Sequence, residues 1–185
     1  MRKLFWVALF GVTFLTSHAQ VRKIFLQASG LTCSMCSNAI NKSISSLEGV
    51  SSVKANIRTS SFEINLKDGS SVSFDQIRKR VEDAGFFVAG MEAMVQFDST
   101  KAANDTHVRV DGTVFHFLHV RDQELTGEYR IKILDKGFVT AKEFKKGNAY
   151  TAMECYRTGV AGSCCSSYGL SPGERIYHVT LIDAP

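Results

Sequence analysis

The sequence predicts an α+β protein in two parts, a βαββαβ unit followed by a smaller β-rich unit. Three observations carry that expectation. Apolar residues alternate over residues 21–28 and then recur at helical spacing from Ala39 to Leu47. The same change of period, from about two residues to about 3.6, returns between Phe62 and Ala84. Beyond Asp105, strand signals follow one another around turn residues, with room for one short helix.

Each element of the first unit has its own justification. Ile24, Leu26 and Ala28 share one face of an opening strand, and Ala39, Ile40, Ile44 and Leu47 mark one face of a helix that Gly49 stops. Residues 53–57 and 62–66 form two strands joined around Thr59-Ser60, after which Asp68-Gly69 turns the chain. Phe74, Ile77, Val81 and Ala84 line a second helix, and a last strand completes the unit by residue 97.

Between the first strand and the first helix stands Gly30-Leu31-Thr32-Cys33-Ser34-Met35-Cys36. Two thiols three residues apart at a helix start meet free backbone N–H groups and the positive end of the helix dipole. Both favour thiolate over thiol and prepare ligands that a metal need not first deprotonate. Two thiolates without a nearby His or carboxylate suit Cu(I), whereas zinc takes four ligands in a closed tetrahedron. Cys33 and Cys36 are therefore the candidate metal ligands, and no residue is singled out as catalytic.

From residue 21 to 97 the chain resembles the heavy-metal-associated domain, the module of copper chaperones, mercury-binding periplasmic proteins and the N-terminal tails of metal-transporting ATPases. The resemblance rests on the cysteine loop, on Leu47-Glu48-Gly49-Val50 with Val53, and on Asp83-Ala84-Gly85-Phe86. It implies a ferredoxin-like fold and Cys33 and Cys36 as ligands. It also implies Cu(I) as cargo, with Hg(II), Zn(II) or Cd(II) as alternatives, and a metal-transfer partner such as a transporter or cuproprotein. Transfer would proceed by thiolate exchange. Two positions depart from the family pattern: Leu31 stands where Met is common, a volume-conserving change under the loop, and Phe86 stands where soluble bacterial chaperones often carry Tyr.

Two other classes of function compete. An exported thiol-disulfide oxidoreductase would use Cys33 as nucleophile and Cys36 to resolve, although the Trp-Cys-Gly-Pro-Cys surroundings of such enzymes are missing. An interaction module would recognise its partner through the β-rich part.

Met1-Arg2-Lys3, the twelve-residue apolar run from Leu4 to Leu15, and Ser17-His18-Ala19 together read as a signal peptide over 1–19, with the mature chain starting at Gln20. The expected location is periplasmic or extracellular, without stable membrane insertion after cleavage, because the run falls short of the ~20 residues a span needs. The formal net charge is +4; without Arg2 and Lys3 the remaining basic side chains barely exceed the 18 acidic ones. That balance predicts no nucleic-acid partner, and Arg78-Lys79-Arg80 reads as a solvated helix face.

A linker is expected at 98–105, between a metal-binding domain over 20–97 and a β-rich domain over 106–185. In the latter, strands are expected at 106–110, 113–120, 129–134, 150–156 and 175–182, with a helix opened by Thr140 and Glu143 and ended by Gly147. That order suits an OB-like barrel, with a sandwich as the alternative. A two-residue Asp111-Gly112 turn sets His107 opposite His116 and leaves Phe115 and Phe117 facing the core. Two imidazoles alone are a thin metal site. Cys155, Cys164 and Cys165 fit a loop-stapling disulfide from Cys155 to one of the pair, or a second copper cluster of three thiolates.

Overall fold

The opening strand, β1 (Val21–Ser29), buries Ile24, Leu26 and Ala28 as its alternation requires, in a computed structural model that describes residues 20–31 and 33–182. The expected signal peptide lies outside the described residues. After β1 come α1 (Ser34–Ser45), β2 (Val50–Asn56), β3 (Ser61–Leu66), α2 (Phe74–Asp83) and β4 (Phe87–Ala102). The strand order β2-β3-β1-β4 is antiparallel throughout and is the ferredoxin-like arrangement.

Each helix has a local reason to begin and a face to bury. Ser73 caps α2 through a reciprocal pair, its Oγ accepting from Gln76 N at 3.1 Å and its N–H donating to Gln76 Oε1 at 2.8 Å. Ile40 and Ile44 of α1 and Ile77 and Val81 of α2 are fully buried, each such side chain contributing about 1.5–3 kcal/mol. The helices touch where Ser43 Oγ donates to Arg80 O at 2.8 Å. Gly49 sits where only a hydrogen fits, since a Cβ there would lie 2.7 Å from Val72 Cγ2.

In a lone βαββαβ unit β4 would be a free edge. Here it is 16 residues long and its outer side pairs with β7 (Gln123–Ile133). Residues 98–102, expected as the start of a linker, are the end of β4, with Thr100 opposite Leu125 and Ala102 opposite Gln123. Their polar character fits a curled strand that shifts register between Phe97 and Thr100. The sheet continues through β8 (Ile176–Leu181) and β6 (Thr113–Phe117), which run parallel, to β5 (Thr106–Val110), giving eight strands in one sheet.

That sheet rolls over on itself. Phe97 on β4 reaches Phe117 on β6 with ring centroids 6.0 Å apart, although two strands separate them in sheet order. The OB-like expectation is met only as a curled, open sheet: among the described residues β5 and β4 are not hydrogen-bonded. Among the described residues four strands, not five, begin after residue 103. Residues 150–156, expected as a strand, form a loop that leads into the short helix α4 (Cys155–Thr158), while α3 (Ala141–Gly147) starts at Thr140, whose Oγ1 accepts from Glu143 N at 3.3 Å. Tyr156 is buried there, donating to Phe144 O at 2.9 Å and Leu134 O at 3.2 Å, a packing role that a strand would not serve.

The two faces of the rolled half carry different chemistry. Phe115, Phe117, Tyr177 and Val179 point into the core shared with α2, where Phe74 packs edge-on against Phe115 and Tyr177. The alternate residues Val114, His116, Ile176 and His178 point to the other face, where Val114 and Ile176 pack with Cys155 and Cys165.

Candidate metal centre

The cysteine loop follows from the way β1 gives way to α1. Gly30 takes φ +81, a left-handed conformation that lets the chain turn out of the strand. Cys33 is extended (φ −150, ψ 161) and serves as the N-cap of α1, its Sγ accepting from Cys36 N at 3.3 Å. A thiol thus occupies the place where Ser or Asp usually satisfies the first helical N–H groups. Its partner Cys36 lies three residues on, in the first turn.

Cys33 is exposed and Cys36 half-buried. The Cys36 thiol and then the Cys36 backbone N–H hold the Cys33 thiol below its ordinary range, with Met35 N–H adding to the effect. Among the described residues, neither gathering of three or more His, Cys, Asp or Glu ligand atoms includes Cys33 or Cys36. The loop therefore offers two soft donors at a solvent-facing helix end, a set that suits a two-coordinate soft ion open to an incoming ligand. Leu31, within the loop, and Phe86 both pack against the hydrophobic core. Met35 and Phe87 are 81% and 70% exposed, and Phe87 is the register partner of Ser29, at the loop end of β1.

The remaining residues singled out in the sequence come together elsewhere. The β5–β6 hairpin pairs His107 with His116 and stacks their rings at 4.1 Å. Cys155, at the start of α4, lies 3.7 Å from His116 Nδ1 and 3.9 Å from His107 Nε2. Cys165 Sγ lies 3.6 Å from His107 Nε2 and 3.4 Å from Cys164 Sγ. The expected disulfide does not form: all five cysteines are free thiols, and Cys155 turns toward the imidazoles. Cys155 and Cys165 meet the histidine hairpin without any local spacing that links them. Asp105 stands beside the histidines because it leads directly into β5 and donates its N–H to Phe117 O at 2.9 Å, whereas Tyr168 and the Asp135–His178 pair reach this region only through tertiary packing that no local spacing marks.

A thiol pair at the first helical turn of a βαββαβ unit defines a metal-binding module of the heavy-metal-associated type. The heavy-metal-associated domain profile matches residues 25–87. The chain is 31% identical over 86 residues to the mercuric transport protein periplasmic component of Serratia marcescens, covering 46% of this chain and 93% of that protein. It is 34% identical over 64 residues to the copper chaperone CopZ of Bacillus subtilis, covering 35% and 91%. It is 34% identical over 70 residues to a probable copper-exporting P-type ATPase of Archaeoglobus fulgidus, covering 38% of this chain but only 9% of the ATPase. The chain belongs to the heavy-metal-associated domain family, and its C-terminal half lies outside the matched residues.

Proposed function

We propose that this protein is an exported carrier of a soft metal ion, Cu(I) before Hg(II), Zn(II) or Cd(II), held between Cys33 and Cys36 and handed to a transporter or cuproprotein. The observation that carries this reading is the Cys33 cap: an exposed thiol with its pKa lowered, three residues from a second thiol, at the positive end of a helix. Relatives named as a copper chaperone and a mercuric transport component support the class of cargo.

The chemistry is ligand exchange. Cys33 and Cys36 hold the ion in two-coordinate form, an incoming thiolate of the partner adds to give a three-coordinate ion, and one of the original sulfurs leaves. The exposed sulfur, Cys33, is the one a partner reaches first. No bond in an organic substrate is made or broken, so the protein has no catalytic step.

The test is an anaerobic Cu(I) titration of the reduced chain from Gln20 to Pro185 against a competing chelator, beside Cys33→Ser/Cys36→Ser. The double variant is expected to bind one tight equivalent fewer. Equal stoichiometry in the two proteins would overturn the assignment.

A further inference from the structure

We propose that His107, His116, Cys155 and Cys165, with Cys164 at the rim, form a second metal site that takes one thiophilic d10 cation, separate from Cys33 and Cys36. The argument starts from spacing. Tetrahedral bonds of about 2.3 Å to sulfur and 2.05 Å to nitrogen put neighbouring S and N donors about 3.6 Å apart. The three imidazole–thiol separations in the cluster are 3.6, 3.7 and 3.9 Å. Cys155, Cys164 and Cys165 also place their sulfurs within 4.8 Å of one another. Side chains from a β-hairpin, a helix start and a 3-10 helix (Ser163–Tyr168) thus form two overlapping groups, His107–His116–Cys155 and Cys155–Cys164–Cys165, which share Cys155 and are joined again where Cys165 meets His107.

The surroundings hold the donors in place as metal sites do. His116 is fully buried, presenting Nδ1 to Cys155, while its Nε2 lies 3.2 Å from Asp105 Oδ1, close to a carboxylate but without the alignment of a hydrogen bond. A carboxylate behind the far ring nitrogen is the usual way a ligating histidine is oriented. His107 is held between His116 and the Tyr168 ring, whose centroid lies 4.3 Å away, and Tyr168 Oη donates to Asp105 O at 2.8 Å. The loop from Cys155 to Cys165 is tied to the residues that lead into β8: Ala161 N donates to Glu174 O at 2.8 Å, and Arg175 Nη1 to Gly159 O at 2.9 Å.

A purely structural reading accounts poorly for this gathering. Thiols and imidazoles in contact are weak hydrogen-bonding partners, and His107 Nδ1 is buried without a partner. An apolar core of the same shape would cost less. Two thiol sulfurs and two imidazole nitrogens are a donor set that fits Zn(II) or Cu(I), and the half-buried Cys164 offers a landing thiol on the way in.

The experiment uses the chain from Gln20 to Pro185 with Cys33→Ser/Cys36→Ser, reduced and anaerobic, so that the loop site is removed. Co(II) is added first, then Zn(II) or Cu(I) in competition. One equivalent of Co(II) is expected to give intense visible bands and thiolate-to-metal absorption of a tetrahedral site, displaced by one equivalent of Zn(II) or Cu(I). Adding Cys155→Ser/Cys165→Ser is expected to abolish both signals, and His107→Gln to weaken affinity at least about tenfold with a changed spectrum.

No tight equivalent in the folded Cys33→Ser/Cys36→Ser protein would overturn the proposal, as would an equivalent that survives loss of Cys155 and Cys165. Should the Cys155→Ser/Cys165→Ser protein fail to fold by circular dichroism, His107→Gln decides, and an unchanged affinity and spectrum there overturns the site. None of these results bears on the Cys33–Cys36 carrier, which is judged by the equivalent lost between wild type and the loop variant.

Discussion

Asp75, in the first turn of α2, accepts hydrogen bonds from Arg175 Nε at 2.8 Å and Tyr177 Oη at 2.7 Å, residues 100 and 102 positions further along the chain. Arg175 also reaches Asp135 at 3.3 Å and lies over the Tyr177 ring at 4.2 Å. The metal-binding unit and the β-rich half are joined here by charge and hydrogen bonding as well as by the shared sheet.

Asp75→Asn is expected to destabilise the protein by about 1–2 kcal/mol in chemical denaturation, because a charge-assisted contact is replaced by a neutral one at a site water still screens. Burial on its own raises the Asp75 pKa, but the hydrogen bonds from Arg175 and Tyr177 outweigh it and the net shift is downward. The contribution is therefore present above the unfolded aspartate range and is lost as pH falls through the lower folded value. Wild type and Asp75→Asn should converge in stability in acid. A gap that stays constant down to the acid unfolding transition would show that the carboxylate charge is not what Arg175 and Tyr177 hold.

The two halves should unfold together. Phe74 on α2 is 3% exposed, packing edge-on against Tyr177 at 5.0 Å and Phe115 at 6.2 Å. Phe74→Ala is expected to cost about 3–5 kcal/mol and to shift one common transition. Two separate transitions in calorimetry of the wild type would contradict a shared core.

Residues 98–102 should resist proteolysis. They end β4, where Thr100, Lys101 and Ala102 pair with Leu125, Glu124 and Gln123 of β7, so trypsin is expected to spare Lys101 under native conditions. Early cleavage there, read by mass spectrometry, would restore the linker that composition suggested.

Thiol reactivity should rank the cysteines. The Cys33 thiol is held low by the Cys36 thiol and backbone, whereas burial and then the neighbouring Cys165 thiol push Cys155 up. Alkylation by iodoacetamide at neutral pH is expected at Cys33 well before Cys155, with the Cys33 rate falling off only at a pH below the ordinary thiol range. Equal rates at the two positions would remove the argument for a helix-activated thiolate.

Gly49→Ala is expected to destabilise the protein by about 1–3 kcal/mol, since the added methyl has no space beside Val72 and overpacking forces a backbone shift. A neutral result in thermal unfolding would mean that the loop before β2 yields more readily than its packing implies.

What the sequence determined by itself was whatever short-range periodicity and turn chemistry control. Ile24, Leu26 and Ala28, Ile40 and Ile44, and Phe74, Ile77 and Val81 all lie on the faces their spacing assigns. The cysteine loop was legible because a strand end, Gly30 and a helix start set its geometry within a few residues, and the Asp111-Gly112 turn set His107 opposite His116 for the same reason. Tertiary structure alone decided the rest. Whether residues 98–102 are linker or strand depends on β7 arriving from more than twenty residues away, and polar side chains on a curled strand look like loop until that partner is present. Residues 150–156 carry strand-like aromatics, but burial of Tyr156 under Leu134 and Phe144 makes them a loop and a helix start. Cys155 and Cys165 reach the two histidines only because β8 lies parallel to β6, a non-local pairing that no sequence spacing encodes.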